Sequence, residues 1–160
     1  MMHSIVLVLA LLIGVVAGLR TFTAPAVVAW ASLLQWINMD GTWASWVGHP
    51  VAVALLSILA VGEFIGDKLS RTASRTTAVQ FAGRILTGAF AGAVIGTAWG
   101  YTWTALGAGV VGAVIGTVGG YQARRRLVVA NDDRDLPIAL FEDAVAVLGG
   151  FGIAAWAAIL

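Results

Sequence analysis

Seven ionisable side chains sit within or beside apolar runs: Arg20, Glu63, Asp67, Lys68, Arg84, Glu142 and Asp143. A charge near the hydrocarbon of a bilayer costs roughly 2.5–3.5 kcal/mol on insertion scales, so it needs a partner or a ligand. Glu63 and Asp67 are four residues apart and share a helix face. Glu142 and Asp143 open a later apolar run. Oxygen ligands without His or Cys suit a hard cation such as Mg²⁺, Ca²⁺ or Mn²⁺, and buried carboxylates can also exchange a proton. Arg20, Lys68 and Arg84 supply counter-charge. Three chemistries are open to this set: ion pairs that lock helices together, carboxylates that bind and release a cation or proton, and an arginine site for an anionic solute or lipid headgroup.

The rest of the chain must place these groups in a membrane. Of 160 residues, 60% are hydrophobic and 11% charged, far too little polar surface for a soluble domain. The net charge of +1 gives nucleic-acid binding no electrostatic support. Cysteine is absent, which removes disulfides, thiol chemistry and cysteine metal sites. His3 and His49 are isolated near span ends and read as interfacial residues, and no Ser has a His placed for a triad. No metalloprotease, quinone or haem signature is present. The chain is expected to be neither an enzyme nor a cofactor carrier.

The fold expected is an all-α polytopic bundle of six short transmembrane helices, at about 4–19, 22–37, 50–66, 78–100, 105–122 and 137–158, in a single domain. Residues 4–37 as one helix would reach about 50 Å, too long for a bilayer even when tilted. A turn at Arg20 resolves this, with Pro25 in the first turn of the next helix and Thr21 or Thr23 as its cap. The alternative has five crossings, with 4–37 forming one broken span. The first run lacks Lys or Arg ahead of it, so it reads as a retained span rather than a cleaved signal. With six spans all nine Lys and Arg fall on or near one side, whereas loop 38–49 has none and carries Trp43 and Trp46 beside Trp36. That bias puts the basic loops in the cytoplasm and the protein in a bacterial inner membrane. The triplet Arg124-Arg125-Arg126 reads as a topology signal in contact with lipid phosphate.

Spans four and five form a glycine-rich antiparallel hairpin. The hexapeptide Gly92–Thr97 recurs at Gly112–Thr117. Gly88, Gly92, Gly96 and Gly100 recur every four residues, as do Ala108, Gly112, Gly116 and Gly120. Such stripes let helix backbones approach closely, either within the chain or across a homo-oligomer.

Together these motifs resemble the bacterial integral-membrane family filed as domain of unknown function 4126. The likeness rests on Gly18-Leu19-Arg20, the run from Glu63 to Lys68, Arg84 with Thr87-Gly88-Ala89, and Pro137 followed by Glu142-Asp143. It implies a multi-span inner-membrane protein and no particular activity. The Glu63-to-Ser70 stretch is also similar to the signature of small manganese/calcium-proton exchangers, which are built from two inverted three-helix repeats. One extra residue here turns Glu63 by about 100° relative to Gly66-Asp67. Both carboxylate pairs also fall near one membrane side, where inverted repeats would separate them. The functional expectation is a small transporter or channel-like permease for a divalent cation or protons. Glu63, Asp67, Glu142 and Asp143 would form its site. The alternative is a structural protein assembling through its glycine stripes.

Overall fold

The computed structural model describes residues 1–69, 78–131 and 134–160, with side chains as far as Asp67 in the first stretch. Among these residues the protein is all-helical. It comprises α1 (Met2–Leu19), α2 (Thr23–Leu33), a 3₁₀ turn (Ser45–Gly48), α3 (Pro50–Leu69), α4 (Ala78–Thr97), α5 (Thr102–Ala130) and α6 (Asp135–Ala157). Every helix but α2 is long and apolar enough to cross a bilayer, making this a multi-pass membrane protein.

The chain alternates direction at each element. His3 at the start of α1 stacks on Tyr101 at the α4–α5 turn, with ring centroids 4.6 Å apart. Trp43 in the 34–49 connection donates to Thr97 Oγ1 at that same end (2.9 Å). The ionisable residues collect at the other end. There α1 stops, and α2 runs back into the bundle. Its Phe22 lies against Glu63 of α3, whereas Trp30, two turns on, donates to Ser57 (3.0 Å). The register is that of antiparallel neighbours.

The second span differs from expectation. It was placed at 22–37, but α2 covers only eleven residues, about 16 Å, half of a hydrocarbon layer. The helix ends in a Schellman motif. Gln35 takes a left-handed φ of 58°, Trp36 N–H bonds the Ala31 carbonyl (2.8 Å) and Gln35 N–H bonds that of Ser32 (3.1 Å). Irregular backbone then leads to the 3₁₀ turn, with Ile37, Met39, Ala44 and Val47 buried against the rest of the protein. Trp43 and Trp46 flank Phe90 of α4 and stay half-exposed, as interfacial aromatics do. The fifth helix runs eight residues beyond its expected end at Gln122, so Arg124-Arg125-Arg126 are helical rather than part of a loop. Arginine is a good helix former, and nothing in 123–130 breaks the pattern.

The centre is a close-packed trio of α1, α4 and α5. Glycine makes this possible. A Cβ on Gly92 would lie 3.0 Å from the Gly109 Cα and nearer still to the Ala105 carbonyl. One on Gly112 would meet the backbone of Leu11 and Val15 at 2.9 Å and below. The α4 stripe of Gly88, Gly92 and Gly96 therefore faces Ala113, Gly109 and Ala105 of α5. The α5 stripe of Gly112, Gly116 and Gly120 faces Leu11, Val15 and Leu19 of α1. Both stripes are used inside the chain. Gly100, expected to continue the α4 stripe, lies in the turn with φ +77°, where a Cβ would meet nothing within 4 Å.

Replacing Gly112 with Leu forces backbone apart and should cost at least about 1–3 kcal/mol or prevent folding. Gly119→Ala, on open space of the same helix, should be neutral or gain up to about 1 kcal/mol. Thermal melts of the two variants in detergent check the contrast, and equal melting temperatures would contradict the packing.

Candidate ion-binding site at the broken helix

Where α1 stops and α2 starts, backbone groups lose their helical partners beside the buried residues Gly18 and Arg20. Arg20 is extended (φ −141°, ψ 118°) and Phe22 begins α2 without a side-chain cap of its own. Neither Thr21 nor Thr23 fills the capping role expected of them. The cap comes from another helix. Glu63 of α3 accepts Thr21 N–H through Oε1 (2.8 Å) and Phe22 N–H through Oε2 (2.9 Å). A carboxylate there also faces the positive end of the α2 dipole.

The end of α1 is satisfied in the complementary way. Its Gly18 carbonyl accepts from Arg84 Nη1 of α4 (2.9 Å) and from Thr117 Oγ1 of α5 (3.3 Å). A guanidinium at a helix C-terminus is electrostatically favoured. Gly18 must be glycine to permit this, since a Cβ would lie 2.6 Å from Thr117 N.

Arg20 itself is 1% exposed and joins three helices. Its Nη1 reaches Asp67 Oδ2 of α3 (2.9 Å), its Nη2 pairs with Asp143 Oδ1 of α6, and its guanidinium lies 5.7 Å from the Phe64 ring centroid. Arg124 continues the network. It makes a two-pronged pair with Asp135 (2.8 and 2.7 Å) and also approaches Asp67 (3.4 Å) and Glu142 (3.5 Å). Thus Glu63, Asp67, Glu142 and Asp143, distant in sequence, converge with Arg20 and Arg84 at one end of the bundle. The Lys68 side chain lies outside the described residues. The two carboxylate pairs share that end, which is not the arrangement of inverted repeats.

Arg124 and Asp135 belong to this set although the sequence reading put both in a charged loop. A signal was present: Arg124 follows Gly112, Gly116 and Gly120 at four-residue spacing, on the face that meets α1. Arg125 and Arg126 are off that stripe.

Beside the network lies a cavity of about 540 Å³, walled by the broken segment, by α3 and by α4. Its polar walls include Glu63, Asp67 and Gln80 beside Arg20 and Arg84. Both guanidiniums are covered (1% and 4% exposed), whereas the Asp67 side chain is 17% exposed and Glu63 is half-buried. Gly62 and Gly66 leave the α3 wall open, with nothing within 4 Å of where their Cβ atoms would be. Among the described residues, no three His, Asp or Glu side chains are grouped to hold a metal ion.

Removing the Arg20 charge should be severe. Arg20→Gln removes the guanidinium that Asp67 and Asp143 share, and breaking a buried pair costs about 3–5 kcal/mol. Arg20→Lys should also destabilise, because one ammonium cannot replace a planar fork reaching two carboxylates. Arg134→Gln, on an exposed residue of the same end, should change stability by no more than about 0.5 kcal/mol. Melting temperatures that rank Arg20→Gln beside Arg134→Gln would overturn the network's structural weight.

No curated protein and no solved structure matches the chain. A family model does, described as Domain of unknown function (DUF4126), over residues 7–156. That match spans the α1–α2 break, both stripes and every residue of the ionic network. The chain belongs to this family.

Proposed function

We propose that this protein is a small permease of the bacterial inner membrane that passes protons, or a small cation, through the cavity beside the broken helix. It performs no chemistry on its cargo. The observation that carries the reading is the cavity's lining: carboxylates reach its surface while both arginines are covered. Acids and arginines balance in the lining, but the acids present the more open atoms, which favours a cation or proton over an anion. Two carboxylates, Glu63 bonded to backbone N–H groups and Asp67 paired with Arg20 and Arg124, are few for Ca²⁺, which takes six to eight oxygens. They suit a proton better.

Free helix ends are polar and suit ion sites, and here two of them lie at the charged end of the bundle. Here the site and the cap are the same group. A proton added to a Glu63 oxygen turns an acceptor into a donor, and that oxygen then holds its backbone N–H less well. Loading would loosen α3 from the α1–α2 break. The ion pairs of Arg20 and Arg124 lock the same end and would act as the gate. The basic bias of the charged end places it in the cytoplasm in this reading. Assembly through the glycine stripes, the other expectation, has less support, since both stripes are occupied by helices of the same chain.

The test is reconstitution into vesicles containing a pH-sensitive dye, with a potassium diffusion potential as driving force. Wild type should acidify or alkalinise the lumen according to the sign of the potential, and Glu63→Gln should reduce the rate at least tenfold. Gly119→Ala should keep the wild-type rate. Proton flux that survives in both Glu63→Gln and Asp67→Asn, or wild-type vesicles silent to protons and to Na⁺, K⁺, Mg²⁺ and Mn²⁺ gradients, would end this assignment.

A further inference from the structure

The three consecutive arginines of α5 do different jobs. Arg124 turns inward and is held by Asp135, Asp67 and Glu142. Arg125 and Arg126 are exposed, and among the described residues neither makes an ion pair or hydrogen bond. With Gln122 and Val129 they fall at i, i+3, i+4 and i+7, one continuous helix face. Together with Tyr121 these residues line a shallow depression of about 590 Å³ on the outside of the bundle.

The depth of this face is fixed by the helix itself. Trp103, 82% exposed, marks one interface at the start of α5. Tyr121 is eighteen residues further on, about 27 Å along the axis and close to one hydrocarbon thickness. Tyr121 therefore sits at the opposite boundary. Arg125 and Arg126 lie another 6–8 Å or so outward, at the level of lipid phosphates.

We propose that this face is a binding site for the phosphate of an anionic phospholipid. Arg125 and Arg126 would bracket the phosphate, Gln122 would donate to it, and Tyr121 and Val129 would lie against the glycerol and upper acyl chain. Planar guanidiniums match phosphate oxygens in pairs, and the headgroup brings the anion to this depth without cost. Binding there would tie the outer face of α5 to the leaflet while Arg124, on the inner face of the same turn, holds the ionic network. The site does not depend on the transport reading.

The test uses the full chain in an uncharged detergent, with its melting temperature followed as phosphatidylglycerol is titrated in. A lipid that binds the folded state raises the melting temperature with concentration. Arg125→Gln and Arg126→Gln should each shift the half-saturating lipid concentration upward about fivefold, the effect of about 1 kcal/mol per basic residue. Arg125→Lys keeps the charge but not the paired geometry and should fall between wild type and Arg125→Gln, and an unchanged melting temperature without lipid shows that the Gln variants fold. Arg134→Gln, which removes the same charge from an exposed position at the same end, should leave the titration unchanged. Phosphatidylcholine and inorganic phosphate should give no shift. A response in wild type that Arg134→Gln weakens as much as Arg125→Gln would mean diffuse charge attraction and overturn the site. An equal response to inorganic phosphate would make it a free-anion site, and no response to phosphatidylglycerol would remove it altogether.

Discussion

A helix that ends among buried residues must find partners for its free backbone groups, and in this protein other helices bring them. The α1 terminus is met by Arg84 and Thr117, and the α2 terminus by Glu63. Each charge has the sign that the local dipole favours. Much of the architecture follows from this arrangement. Arg20 can turn the chain only because its guanidinium is matched by Asp67 and Asp143, and those pairs draw α3 and α6 to the same point. A buried N–H or carbonyl left unmatched costs about 1–3 kcal/mol, so dropping one member of this cluster strands another.

The other half of the structure obeys a different rule. Between α1, α4 and α5 there is no hydrophobic driving force of the kind that water supplies, because lipid chains are as apolar as Leu or Val. Close van der Waals contact has to do the holding, and glycine at four-residue spacing brings the backbones near enough. The two regimes meet at Gly18. Its missing side chain allows α1 to press against α5, and its carbonyl accepts the arginine that closes the helix end.

Much of this was written in the sequence in a form that can be read. The break at Arg20 follows from the excessive length of 4–37 and from Pro25. The stripes follow from the period of four. That Glu63, Asp67, Glu142 and Asp143 belong near one end follows from counting spans. What could not be read is tertiary. A Thr next to a Pro is a sound local guess for a cap, yet the acceptor came from forty residues away in Glu63. The end of α2 at Leu33 is hidden because Trp36 and Ile37 continue the apolar character, and only the left-handed Gln35 marks the turn. Arg124 was read with its two neighbours as one basic run, when one turn of helix puts it inward and them outward. A run of like charges says nothing about which member is buried until the helix phase is fixed by something else, here the glycines.

The position of α3 joins the two regimes to function. Val51, Leu55, Ile58, Leu59, Val61 and Ile65 are all exposed, so little of its apolar surface is committed to the rest of the bundle. Its hold on the core comes from α2 and the 3₁₀ turn, from Trp30 on Ser57, and above all from Glu63 and Asp67. In lipid, losing apolar contact costs α3 little, because lipid tails replace it. Losing the polar contacts costs much more. The two carboxylates thus hold this helix in place together with its packing through Val53 and Ala60. Those carboxylates are also the groups that reach the cavity α3 helps to wall. A helix attached in this way need not be loosened everywhere to move. In the permease proposed above, its release would begin at the point where the cation or proton arrives.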